Sequence, residues 1–143
     1  MGELICSTEQ TVGCVSIMLI IKVLITAFLA VLFLQSGLDK VFDRKGNMEW
    51  LTGHFANSPF KNMVSVNLTA VTILELAAGL LSGLGALQLI FTGGSSLAFF
   101  GILLSAVSIL CLFLGQRLAK DYVGAAVLVN YFILCILGLY FLA

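Results

Sequence analysis

One ionisable side chain stands in the middle of a long apolar segment. Glu75 lies within residues 64–91, a run whose length and hydrophobicity predict a membrane-spanning helix. Inserting a charged group at the centre of such a helix costs at least about 2.5 kcal/mol. Glu75 is therefore expected to face other helices or a wet cavity. It is there either as a functional carboxyl or as a protonated structural group that hydrogen-bonds a neighbouring helix.

Other polar residues fall at depths from which they could meet Glu75. Measured along the predicted helices from the membrane surface with the charged loops, Glu75 is about 16 Å deep, Asn130 about 12 Å and Thr26 about 18 Å. Lys22 lies near the opposite surface, where it would either extend to the headgroups or form a salt bridge with Glu75. A second polar layer near the charged surface is predicted to contain Gln35, Ser36 and Asn67.

Small residues follow Glu75 along the same predicted helix. At helical spacing from Glu75, the residues that share its face are Gly79, Ser82, Gly83 and Ala86. Small side chains at such spacing allow two membrane helices to approach closely. The pattern predicts that Glu75 faces a helix–helix contact rather than lipid.

The sequence contains few of the side chains that hold metals or redox centres. The cysteines are Cys6, Cys14, Cys111 and Cys135, with no Cys-x-x-Cys pair, and His54 is the single histidine. We therefore expect no metal, haem or iron–sulfur site, whereas the polar residues around Glu75 are compatible with a bound quinone. Cys111 and Cys135 are expected to stay unpaired, and Cys6 could pair with Cys14 only in an extended segment.

The composition is that of an integral membrane protein. Hydrophobic residues make up 61% of the chain and charged residues 10%, whereas soluble domains contain about 25% charged residues. The mean hydropathy is +1.16. These values predict one membrane domain over residues 1–143, with the lipid bilayer as its surroundings, and a net charge of zero gives no indication of nucleic-acid binding.

The fold class predicted from these segments is all-α, a membrane four-helix bundle. The predicted spans are residues 16–38, 64–91, 97–115 and 122–142, each near the ~20 residues that cross a bilayer. The last two connections are short, so the second, third and fourth spans should be antiparallel neighbours. Residues 47–57, with an amphipathic pattern around Trp50, are predicted to form a short helix in the headgroup layer, as a membrane anchor or a partner-binding helix.

The basic residues predict the orientation of the bundle. Besides Lys22 within the first span, all lysines and arginines lie in two loops, namely Lys40, Arg44, Lys45, Lys61, Arg117 and Lys120. Because positive loops stay in the cytoplasm, both termini are predicted to lie outside. The predicted location is the cytoplasmic (inner) membrane of a bacterium.

Three segments in order resemble a known family. Residues 33–40 match the pattern F-x-x-S-G-x-x-K, residues 75–81 are similar to E-x-x-x-G-L-x-L, and residues 120–126 are similar to the family's entry to the fourth span. On these segments the chain, from about residue 17 to 142, resembles the DoxX family of small four-helix membrane proteins. Leu81 and Ser82 depart from the family's longer aliphatic run. The resemblance implies the four-helix fold and a shared position for Glu75, and it implies no reaction.

The resemblance also suggests functions for this chain. Some DoxX proteins are membrane subunits of thiosulfate:quinone oxidoreductases, and others accompany redox or detoxification proteins. The first hypothesis is a subunit of a larger, redox-associated membrane complex that holds a quinone or lipid near Glu75. The alternatives are the membrane half of a quinone-reducing enzyme that needs a separate electron donor, and a small proton-linked transporter.

Overall fold

The computed structural model describes residues 11–12, 15–59 and 61–143, and these residues are mostly helical. Two short strands, β1 (Thr11–Val12) and β2 (Val15–Ser16), pair antiparallel ahead of the helices. The helices are α1 (Ile17–Phe42), α2 (Arg44–His54), α3 (Val64–Phe91), α4 (Ser96–Leu118) and α5 (Tyr122–Leu142). All except α2 are long and apolar enough to cross a membrane. The predicted all-α bundle of four membrane helices is confirmed. The proposed Cys6–Cys14 pair lies outside the described residues.

Side-chain caps and one glycine fix the connections between helices. Asp43 accepts a hydrogen bond from the backbone N–H of Gly46 at the start of α2, and Asp121 accepts one from Gly124 at the start of α5. These contacts satisfy N–H groups that a helix leaves unpaired at its first turn. Gly93, with φ of +74°, reverses the chain between α3 and α4.

The four long helices pack in the order α1, α3, α4, α5. Contacts are extensive along α1–α3, α3–α4 and α4–α5, whereas α5 meets α1 over a smaller area. The core between them contains Leu29 and Phe33 of α1, Ala78 of α3, Ile102 of α4 and Cys135 of α5. The outward faces carry large exposed apolar side chains on every long helix, as lipid contact requires.

The antiparallel helices α1 and α3 are offset along their axes. Gly37 lies against Leu76, and Gly79 lies against Leu34, so close that a Cβ on either glycine would approach the opposite leucine within 2.8 Å. This register places Phe42, the last residue of α1, opposite about Val71 of α3. Since α3 begins at Val64, it continues for about 10 Å beyond the end of α1. Helix α2 lies beside this step, and we call this end of the molecule the α2 end.

Two element bounds differ from the sequence prediction in a way that affects the site. The first membrane helix ends at Phe42 rather than at residue 38, so Lys40 lies in its last turn. The short helix begins at Arg44 rather than near residue 47, because Asp43 caps it. A single non-helical residue, Asp43, therefore separates α1 from α2.

Candidate functional site

Glu75 forms an ion pair with a lysine from the neighbouring helix. Its side chain is 2% exposed, and its Oε2 atom lies 2.9 Å from Nζ of Lys40, whose side chain is 16% exposed. The second carboxyl oxygen, Oε1, accepts a hydrogen bond of 3.1 Å from Oγ of Ser36. Lys40 in turn donates to Ser36 Oγ over 2.8 Å. The three side chains form a closed triangle between α1 and α3.

The helix geometry of α1 explains how two of its residues reach one carboxyl. Ser36 and Lys40 are four residues apart, so they lie one turn from each other on the face that meets α3. Lys40 also lies in the last turn of α1, where the helix dipole favours a positive charge. Glu75 thus finds its counter-charge in the same helix contact that the small residues of α3 create.

One oxygen of the carboxyl keeps hydrogen-bonding capacity. Among the residues that the structure describes, no donor meets hydrogen-bond geometry at Glu75 Oε2, although the ammonium group of Lys40 lies close to it. The contact at this atom is therefore an ion pair without a directed hydrogen bond. A carboxylate oxygen has two lone-pair sites, so Oε2 could accept from a further donor.

A cavity of about 500 Å³ lies at the α2 end and extends to the triangle. Along α3 it runs from Val64 to Glu75, a length of about 16 Å at the helical rise. Its walls come from α1, α2, α3 and α4, with Leu128 of α5 at one side, and most of the lining side chains are apolar. Lys40, Ser36 and Glu75 make one end of this cavity polar. The axial offset between α1 and α3 leaves the space that it occupies.

The other end of the cavity is bounded by a polar contact between α2 and the α4–α5 turn. Nε2 of His54 lies 2.6 Å from Oε1 of Gln116 and 3.8 Å from Oδ2 of Asp121. The Trp50 ring stacks on the His54 ring with centroids 4.5 Å apart. Because Trp50, His54 and Gln116 all line the cavity, this contact forms part of the cavity wall.

The structure does not bring Asn130, Thr26 or Lys22 to Glu75. Thr26 is buried but donates to the backbone carbonyl of Lys22, 2.6 Å away in its own helix. Asn130 is exposed on α5. Lys22 lies about 21 Å along α1 from Ser36, too far for a salt bridge with Glu75. The predicted depths assumed helices that end level with one another, and the axial offset of α1 makes Ser36 and Lys40 the partners instead.

The predicted second polar layer is divided in the structure. Ser36 belongs to the triangle, and Asn67 is half-buried and lines the same cavity. Gln35 is exposed. Sequence reasoning missed Lys40 because it counted the residue among the loop charges, although its spacing from Ser36 places both on one helix face.

The small residues of α3 serve two different helix contacts. Gly79 and Gly83 face α1, with Leu34 and Ala30 as their neighbours. Ser82 instead packs against Gly101 of α4, and Ala86 is buried on the same helix. The small residues therefore bring both α1 and α4 close to α3, and Glu75 lies on the side of α1.

Within residues 11–12, 15–59 and 61–143, no three histidine, cysteine, aspartate or glutamate side chains come together to hold a metal ion. No protein-family model, no curated protein and no solved structure matches the chain. The function of the site is therefore inferred from its own geometry.

Proposed function

We propose that this chain is a DoxX-like integral membrane subunit of a larger, redox-associated membrane complex, and that it holds the polar head of a quinone or a lipid beside Glu75. The observation that carries the proposal is the buried Lys40–Glu75–Ser36 triangle at the end of an apolar cavity. A volume of about 500 Å³ lies within the roughly 300–1,000 Å³ common for small-molecule sites. Few polar groups on apolar walls are also typical of such sites.

The charges of the triangle favour a neutral ligand head. Lys40 and Glu75 balance each other, so an anion would meet the carboxylate and a cation would meet the ammonium group. An ammonium group has three N–H donors. Two directions around Lys40 lead to Ser36 Oγ and to the Glu75 carboxylate, and the third leads to the Ser36 backbone carbonyl oxygen over a long 3.5 Å, a bond that a ligand could replace. A ligand carbonyl could accept from the third, and a ligand hydroxyl could donate to Oε2 of Glu75. A quinone and its quinol offer these two groups in turn.

A bound quinone would connect the chain to a partner protein. Reduction of a quinone to a quinol consumes electrons and protons in equal number. In our proposal a separate redox protein supplies the electrons, which makes the chain an accessory subunit. The membrane half of a quinone-reducing oxidoreductase is the second candidate. It is favoured by the hydrogen-bonded triangle, whose lysine and glutamate could pass protons to a ligand in the cavity.

The ligand proposal is tested by what copurifies with the protein. We expect quinone or lipid in near-stoichiometric amount when the tagged chain is isolated in mild detergent and its organic extract is analysed by mass spectrometry. The double variant Lys40→Met/Glu75→Leu should lose most of it, whereas Asn130→Leu, an exposed position on α5, should retain it. Equal ligand content in all three proteins would contradict the proposal.

The same preparation tests whether the chain is a subunit of a larger complex. A flavin, haem or iron–sulfur protein in stoichiometric amount would support an accessory subunit. Isolation of the chain alone, or only with copies of itself, would contradict that part of the proposal.

We further propose that the α2 end faces the cytoplasm of a bacterial cell and that both termini lie outside. Five exposed lysine or arginine side chains at the α2 end favour this orientation, namely Arg44, Lys45, Lys61, Arg117 and Lys120. A membrane-impermeant thiol reagent added to intact spheroplasts should label a Ser95→Cys variant and spare Lys45→Cys, in a background without the native cysteines. The opposite labelling pattern would reverse the orientation.

A further inference from the structure

Helix α2 has the properties of a mobile cover. None of its residues is buried, so little apolar surface attaches it to the bundle. Asp43, with φ of −120° and ψ of 49°, is the single residue between α1 and α2. Segments with few buried apolar contacts open at low free-energy cost, and a hinge needs only a few residues that absorb the backbone change.

Side-chain contacts hold α2 at its two ends. At its start, the guanidinium group of Arg44 donates to Oγ1 of Thr69 on α3 over 2.7 Å. At its end, His54 meets Gln116 and Asp121, the contact that we call the latch. The latch joins the end of α2 farthest from the Asp43 hinge to Gln116 in the last turn of α4 and to Asp121 at the start of α5, so breaking it would let α2 move away from the cavity.

We propose that α2 is a lid over the cavity and that the latch holds it closed. For the ligand that it encloses, this inference rests on the function proposed above. Nε2 of His54 donates a hydrogen bond to the side-chain amide oxygen of Gln116, 2.6 Å away, and the Asp121 carboxylate lies 3.8 Å from the same nitrogen.

Cys111 provides a reporter of lid opening within the native sequence. It lines the cavity on α4, whereas Cys135 is fully buried. Cys111 also has exposed surface, but it lies in a helix long and apolar enough to cross a membrane, so in a bilayer lipid covers that outer face and the cavity is the aqueous route to the thiol. With Cys6 and Cys14 replaced by serine, a positively charged, membrane-impermeant methanethiosulfonate reagent should reach Cys111 through the open cavity. The measured quantity is the rate of Cys111 modification in the full chain, reconstituted in nanodiscs.

At a fixed pH near neutrality, His54→Phe and Gln116→Leu should each raise this rate by about two- to tenfold, the effect of one lost hydrogen bond. Their combination should raise it no further than either alone. Thr52→Val is the matched control on α2, because within the described residues the Thr52 hydroxyl donates to the Met48 carbonyl of its own helix and makes no contact with the latch, and it should leave the rate unchanged. Unchanged rates in both latch variants would overturn the proposed lid.

The lid and the proposed ligand can fail separately. Ligand content is measured by extraction on the same preparations, and Cys111 modification requires no ligand. If the latch variants raise the Cys111 modification rate while no quinone or lipid copurifies with the parent, the lid is supported and the proposed function is wrong. If ligand copurifies but the latch variants leave the modification rate unchanged, the lid is wrong and the proposed function is supported.

Discussion

Replacing Glu75 by leucine is expected to destabilise the protein by about 3–5 kcal/mol, because it leaves the largely buried ammonium group of Lys40 without its counter-charge. Lys40→Met should have a similar cost, since it leaves the carboxylate of Glu75 with only Ser36 as a partner. The measurement is equilibrium unfolding by SDS titration in mixed micelles, followed by circular dichroism.

The double variant distinguishes the cost of breaking the ion pair from the cost of losing the two side chains. Because apolar side chains often replace a buried ion pair without loss of stability, Lys40→Met/Glu75→Leu should be more stable than either single variant. Glu75→Gln, which keeps an acceptor for Ser36 but removes the charge, should fall between Glu75→Leu and the parent. If the costs of the single variants simply add in the double variant, the two charges do not depend on each other.

The second large effect is expected where α3 and α4 touch. A Cβ on Gly85 would overlap the backbone nitrogen and Cα of Ala98. Backbone atoms cannot rotate away as the end of a side chain can, so Gly85→Ala must push the two helices apart. We expect a loss of about 3 kcal/mol or more, at the upper end of overpacking effects, measured by the same SDS titration.

Gly83 supplies the matched control within the same helix. A Cβ there would meet Ala30 at 3.9 Å, an ordinary contact. Alanine also favours helix over glycine by up to about 1 kcal/mol. Gly83→Ala should therefore be neutral or slightly stabilising. Equal losses at both glycines would mean that α3 depends on glycine for a reason other than close packing against α4.

Composition and periodicity were sufficient to predict the membrane helices and the buried position of Glu75. A charged residue in an apolar segment has few acceptable surroundings, and the small residues after it indicate where another helix approaches. The structure adds that these small residues serve both neighbours, Gly79 facing α1 and Ser82 facing α4. The sequence pattern shows that these residues share one side of α3, but not which neighbour each of them contacts. A helix between two partners contacts them on adjoining sides.

The partners of Glu75 could not be predicted because they depend on how far two helices slide along each other. Apolar side chains can pack at several axial offsets, and the sequence fixes none of them by itself. Here Gly37 against Leu76 and Gly79 against Leu34 set the offset. It brings Lys40 to Glu75 and leaves Thr26 about 15 Å from the level of Ser36. The cavity results from the same offset, so it could not be predicted from the sequence either.

The pairing of Lys40 with Glu75 also determines how the site responds to the membrane potential. The pair has no net charge, whichever of the two side chains holds the proton between them. Moving one elementary charge through a membrane potential of 100 mV changes its free energy by about 2.3 kcal/mol, but a neutral head that binds beside a neutral pair moves no net charge. Occupancy of the cavity should therefore be the same in energised and de-energised membranes.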